Sequence, residues 1–325
     1  MSWLRQYWAV SKNAFVITLG DPIYLVMLLT ALVLMLFFAS LPTFAFGQET
    51  QLIRDQSLAL LFIAGCLVSC IGAATVVVRD LRLGAISVLM SRPVSSFGVV
   101  AGKWTGLAGA LGVFTITVSA SVLWISKISG NSSGEDAHLN GTAMTIYILS
   151  LVLPLLAMAI KHYFFGGWYV WQANVALFVV FLAGFLLSAA IPAHGDAGID
   201  WSTGQGCLML FLAQLIFSAM LFPFAVKVDT VTLLVVGVVV FALGLVAEYM
   251  IATTLGRGSI GYGLVMPLLP NWQPYWLSDM LTAGDSMSVA RLATAVVHTV
   301  AYVAGCLGLA TLIFNRREFS GTDVV

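Results

Sequence analysis

Nearly the whole of this 325-residue chain is a succession of apolar runs about as long as a bilayer is thick. A helix needs roughly 20 apolar residues to cross a hydrocarbon core of ~30 Å. Inside that core only helices and closed barrels keep their backbone hydrogen bonds satisfied. Barrel strands alternate over ~10 residues, whereas these runs are continuous, so a barrel is excluded. The pattern predicts an all-α, polytopic helical membrane protein. Composition agrees, since 60% of the residues are hydrophobic and 9% charged, against ~25% charged in an ordinary globular domain. The mean hydropathy is +1.01.

Run lengths predict about eight spans, near 23–42, 57–78, 104–126, 142–160, 173–191, 207–226, 230–252 and 289–314, with ends placed to ~2–4 residues. Ahead of them, Trp3, Leu4, Tyr7, Trp8 and Phe15 recur at helical spacing opposite Arg5, Gln6, Lys12 and Asn13. That face predicts an interfacial elbow helix within residues 1–22. Asp21 suits an N-cap and Pro22 the first helical position of the first span. Residues 253–288 are apolar but broken by Gly256, Gly258, Gly261, Gly263, Pro267, Pro270 and Pro274, which predicts a re-entrant or interfacial segment. With no internal repeat and no soluble domain, the whole chain reads as a single transmembrane domain.

The formal net charge is +0, so no basic field points to nucleic acid. The distribution of charge says more. With the N-terminus inside, the inner segments collect Arg5, Lys12, Arg79, Arg82, Arg92, Lys103, Lys161, Lys227, Arg316 and Arg317, while Arg54, Lys127 and Arg257 fall outside, with Arg291 at the outer edge of the last span. By the positive-inside rule both termini are expected in the cytoplasm. Trp168, Trp171, Trp272 and Trp276 are expected as interfacial anchors.

Reactive clusters are sparse. Cys66 and Cys70 share a helix face, but no His or Met accompanies them at ligand spacing, so packing is preferred over metal binding. Residues Gly256 to Gly261 spell G-x-G-x-x-G, yet they follow a span instead of a strand and read as a turn. The sequence holds no P-loop pattern. His138, His162, His194 and His298 are scattered, which disfavours an integral membrane enzyme with a clustered acid–base or metal set. A single broken region without a counterpart disfavours a secondary transporter, whose broken helices come in pairs. Glu248 and His298 are ionisable residues within spans and are therefore candidates for a substrate path.

The connection between the second and third spans is the most informative. Asp80 to Met90 can form roughly three helical turns, with Leu81, Ala85, Val88 and Leu89 facing one way and Asp80, Arg82, Ser87 and Ser91 nearer the other. Pro93 disfavours helix at Arg92, and Ser95 can cap a further helix running through Gly98, Gly102 and Lys103 into the third span. Inter-helix turns need only ~2–8 residues, so this longer, patterned connection is expected to dock a partner.

Gly84, Ser91-Arg92-Pro93-Val94-Ser95 and Gly102-Lys103 resemble, in order and spacing, the corresponding loop of ABC-2 type transporter permeases. The elbow helix, the Pro267-x-x-Pro270-Asn-Trp segment leading to Asp279 and Gly284, and the closing Phe314-Asn-Arg-Arg-Glu318 fit the same family. The likeness is greatest to the branch that includes permeases for gliding motility and for copper-site maturation. Asp80 stands where that family often has a glutamate, and Ser96-Phe97 where it often has a basic residue.

The resemblance implies a cytoplasmic coupling helix seated in a groove of a separate ATPase subunit. Asp80, Arg82, Gly84, Ser87, Arg92, Pro93 and Lys103 would be the ATPase-coupling residues. ATP and Mg would be bound by the partner, with no cofactor in this chain. A second permease subunit, identical or not, would complete an exporter in the bacterial inner membrane. A structural subunit of a larger complex would share the same scaffold.

Overall fold

The structure, a computed structural model, describes residues 3–40, 49–82, 95–129, 140–191, 199–256, 258–266, 269–283 and 287–316. Among the described residues there are helices and no strand, and eight helices are long and apolar enough to cross a membrane. The chain is an all-α, multi-pass helical membrane protein.

A first helix, α1 (Trp3–Leu19), leads into α2 (Pro22–Ser40). Asp21 caps α2 as its sequence position demands, its Oδ1 accepting the Ile23 N–H at 2.9 Å. Next, α3 (Glu49–Ala73) runs without a break into a π-helical turn (Ala74–Val78) and a last turn (Arg79–Arg82). Ser95 caps α4 (Ser96–Ser129), its Oγ accepting the Gly98 N–H at 3.1 Å. Asn140 caps α5 (Gly141–Phe165). Its hairpin partner α6 (Tyr169–Ala190) follows through Gly166 and Gly167 at φ of 66° and 109°, backbone that suits glycine. The next pair, α7 (Thr203–Ala225) and α8 (Thr230–Leu255), is joined at an Asp229 cap. Then come the short α9 (Ile260–Val265), a 3₁₀ turn (Gln273–Tyr275) and α10 (Ser278–Thr282), before the final α11 (Val289–Asn315).

The eight long helices lie where the apolar runs placed them, but α3 and α4 extend well past their runs. Run length measures the hydrocarbon crossing, while the helix continues for as long as its backbone is capped and packed. Between α8, which ends at Leu255, and α11, the described residues form only short helices and turns.

Three helices form the centre. The best 18-residue windows of α3, α7 and α4 are 78%, 72% and 61% buried, against 22% for α5 and for α11. Lipid supplies no hydrophobic force between helices, so close packing and hydrogen bonds must hold them together. Gln214 of α7 does this at mid-depth. Its Nε2 donates to the Leu61 carbonyl of α3 at 3.0 Å, and its Oε1 accepts from Thr115 of α4 at 2.7 Å. Gly65 leaves room for that amide, because a Cβ there would lie 2.2 Å from Nε2. The α5–α6 hairpin attaches through Tyr147, whose hydroxyl donates to the Leu32 carbonyl at 2.8 Å and meets Ser121 Oγ at 2.7 Å. Cys70 is used for packing, its sulfur filling the space over Gly237 of α8.

Contacts along the bundle define two ends. Residues near 19–21, 76–80 and 103 gather at one, called the near end here; residues 54, 126, 188–191, 199–200 and 278–282 gather at the other, the far end.

Candidate functional site

At the near end the central helices are joined by charge. Residues 74–78 read Ala-Thr-Val-Val-Val, and here the Arg79 N–H reaches back to the Ala74 carbonyl, one residue further than in an α-helix. Such π turns occur mostly as single insertions, frequently at functional sites. Lys103, two turns into α4, donates its Nζ to the Val76 carbonyl inside this turn and forms an ion pair with Asp80 Oδ2. Lys103 is 6% exposed. A buried ammonium needs acceptors to replace water, and here a carboxylate and a carbonyl supply them.

The same turn is tied to α2, with Thr75 Oγ1 lying 2.9 Å from Asp21 Oδ2. Asp21 therefore caps α2 with one oxygen and holds α3 with the other.

Helix α1 rides on α4 beside this joint. Gly102 and Gly106 let the two backbones approach. A Cβ at Gly106 would stand 2.4 Å from the Ser11 carbonyl oxygen and 2.8 Å from the Phe15 nitrogen. The Tyr7 hydroxyl donates to Thr105 Oγ1 at 3.0 Å, and Thr105 donates to Ser11 Oγ at 3.1 Å. Leu4 and Trp8 are exposed on the opposite side, while Tyr7 and Phe15, expected on the same face, turn onto the bundle. Asp80, Lys103, Asp21 and α1 thus form one connected joint around the two ends of the 83–94 connection.

The sequence-derived coupling residues divide accordingly. Asp80 and Lys103 are brought together. Arg82 closes the last turn of α3, so the backbone at 79–82 belongs to the preceding helix and does not begin a separate one. Gly84, Ser87, Arg92 and Pro93 lie outside the described residues.

Glu248 and His298 meet the same partner, the broken segment. Asn271 Nδ2 stands 3.5 Å from Glu248 Oε2, the long limit of a hydrogen bond. The Tyr275 hydroxyl lies 2.9 Å from His298 Nδ1 and 3.1 Å from Thr299 Oγ1. Between them Trp272 is wedged into the bundle, its Nε1 donating to the Phe241 carbonyl at 3.0 Å and its ring covering Gly244. Trp272 is 3% exposed and packs edge-on to Phe62 and Phe217. It is a core residue and not the interfacial anchor expected from sequence. The reason is Gly244, whose missing side chain leaves a slot for the indole.

Sequence reading missed a polar cluster at the far end. Arg54 Nη1 lies 3.7 Å from Asp200 Oδ2, and its Nη2 donates to Thr282 Oγ1 at 2.7 Å. Neighbouring Asp55 accepts from Ser278 Oγ. Burial raises the Asp200 carboxyl, but hydrogen bonds from Ser202 and Thr203, helped by the Arg54 guanidinium, prevail and hold it below the usual carboxylate value. The only sequence signal was Arg54-Asp55 adjoining a span, a pair that the positive-inside count treats merely as outside charge.

Among the described residues no group of three or more His, Cys, Asp or Glu could hold a metal ion. The near-end joint is suited to transmitting force between helices, because it binds α1, α2, α3 and α4 at one level. No protein-family model matches this chain, and no curated protein matches it either.

Proposed function

We propose that this chain is the permease subunit of an ATP-binding-cassette transporter, working as an exporter in the bacterial inner membrane with its near end in the cytoplasm. A separate ATPase binds ATP and Mg, and a second permease subunit completes the path. The observation that carries this reading is the Asp80–Lys103 pair, which fastens together the two helices that flank the 83–94 connection.

Lys103 and Lys127 bracket a stretch of α4 that is ~35 Å long at 1.5 Å per residue, about one hydrocarbon thickness. The eight residues from Ser96 to Lys103 therefore lie at or beyond the membrane edge. A push on the connection reaches α3 and α4 together through the ion pair, and α1 follows α4. Nucleotide bound to the ATPase favours one conformation and shifts the inward–outward equilibrium by its differential affinity.

The test is gentle purification of the tagged chain from its native membrane. A stoichiometric soluble ATPase should accompany it, and Arg92→Ala with Pro93→Ala should abolish its association or its coupled hydrolysis while the permease stays folded. Isolation of the chain alone, or with partners that lack ATPase activity, refutes the reading.

A further inference from the structure

A groove of about 460 Å³ opens sideways in the far half of the bundle, between α4, α6 and α7. This volume lies within the ~300–1,000 Å³ range of small-molecule sites. Its walls are Ile116, Leu123, Leu182, Phe185, Leu208 and Phe211, and its lining carries no charged side chain. Gly112 and Gly204 contribute bare backbone to it. At Gly204 a Cβ would meet no described residue within 4 Å, so α7 leaves open space there among the described residues. The rim residues Ile116 and Leu208 are exposed, as a lateral mouth requires.

The groove ends next to the far-end polar cluster. Thr203, adjacent to Gly204, donates to Asp200, and the Asp200 N–H donates to Ser126 Oγ, one turn beyond Leu123. There Arg54 lies between two carboxylates, its Nε 3.8 Å from Asp55 Oδ1 and its Nη1 3.7 Å from Asp200 Oδ2. An apolar slot at hydrocarbon depth that leads to a polar cluster of one guanidinium and two carboxylates at its outer end has the amphipathic profile of a membrane lipid.

We propose that this groove binds one acyl chain of a phospholipid from the far-side leaflet, with the headgroup at the level of the Arg54, Asp55 and Asp200 cluster. Its role as the entry point for a transported lipid rests on the permease reading above. Its occupancy does not, and the test reads occupancy alone.

The full chain is reconstituted, without any ATPase, in phosphatidylethanolamine–phosphatidylglycerol vesicles doped with a phosphatidylglycerol carrying a diazirine in one acyl chain. Light-induced adducts are then mapped by mass spectrometry. Adducts should concentrate on residues 112–123, 182–186 and 204–211, and fall several-fold in Gly204→Leu and in Gly112→Leu. Both variants fill the groove without striking backbone, since a Cβ at Gly112 meets only Phe211 at 3.7 Å. Leucine also favours helix over glycine. Gly305→Leu on the open face of α11 adds the same bulk elsewhere and should leave groove labelling unchanged. Adducts spread evenly over α5, α8 and α11 and indifferent to Gly204→Leu would mean annular lipid only, and would overturn the proposal. Groove labelling that persists undiminished in both filling variants would overturn it as well.

Discussion

The two ends of α4 each bury one lysine, and the two are held differently. Lys103 at the near end meets a carboxylate, Asp80, and a carbonyl in the π turn of α3. Lys127 at the far end is 4% exposed, and its bonds among the described residues go to the carbonyls of Ser188 and Ile191 at the close of α6. A lysine on helix-end carbonyls satisfies orphan acceptors and complements the helix dipole, which is a cap between elements. A lysine paired with a carboxylate across a π turn ties two helices by charge, and losing either partner leaves the other uncompensated. The same residue type therefore serves as a helix-end cap at one end and as a charged tie between helices at the other.

The sharpest way to break this contrast is Lys103→Met. It strands Asp80 beside α4 and should cost about 3 kcal/mol, toward the lower end for a buried pair because Asp80 is partly exposed. Thermal unfolding in detergent reads this loss, and Asp80→Asn added to Lys103→Met should recover part of it. A null double-mutant coupling would remove the distinction between the two ends.

Gly106→Leu comes next, since a side chain there strikes backbone of α1. It should cost about 1–3 kcal/mol, as overpacking does, and amide exchange across residues 3–19 should accelerate while α6 stays protected. Exchange rising equally in α6 would show that the joint is not local to the near end.

Lys127→Met should be milder, about 1 kcal/mol for a lost helix-end cation. Its effect should appear as fraying of residues 186–191 with the near end undisturbed.

The smallest effect concerns pH at the far end. The Asp200 carboxyl is held below its usual value in the folded chain, so its contribution is complete at neutral pH. It fades only as pH drops through the ordinary carboxylate range and below. Asp200→Asn should remove the Asp200 share of the acid-dependent loss and leave that of Asp229, whose carboxyl is also held low by hydrogen bonds from Thr232 and Val231. A profile unchanged by the substitution would place the acid sensitivity elsewhere.

Much of this architecture was legible before any coordinates. Eight runs gave eight helices, Asp21 and Ser95 announced their caps, and the Gly/Pro spacing after Leu255 announced a broken segment. Those features are local, since hydropathy, capping and backbone restriction act within a few residues. The pairing of Asp80 with Lys103 was less legible, because both stood out singly while the π turn that presents the Val76 carbonyl has no sequence signature. Glu248 and His298 were conspicuous as intramembrane ionisable groups, but their common attachment to residues 271–275 was not. Arg54 was overlooked because its partners, Asp200 and Thr282, come from distant stretches of chain.

By itself the sequence determined that this chain enters a bilayer as helices, since the cost of an unpaired backbone in hydrocarbon leaves a continuous apolar run no alternative. It also set where those helices begin and end to within a few turns. Only the tertiary structure decided which helices form the centre, where Trp272 goes and which lysine finds a carboxylate. The reason is that lipid is as apolar as leucine. Helix partners are then chosen by glycine-sized gaps and a handful of hydrogen bonds, and these exist only once the helices are side by side.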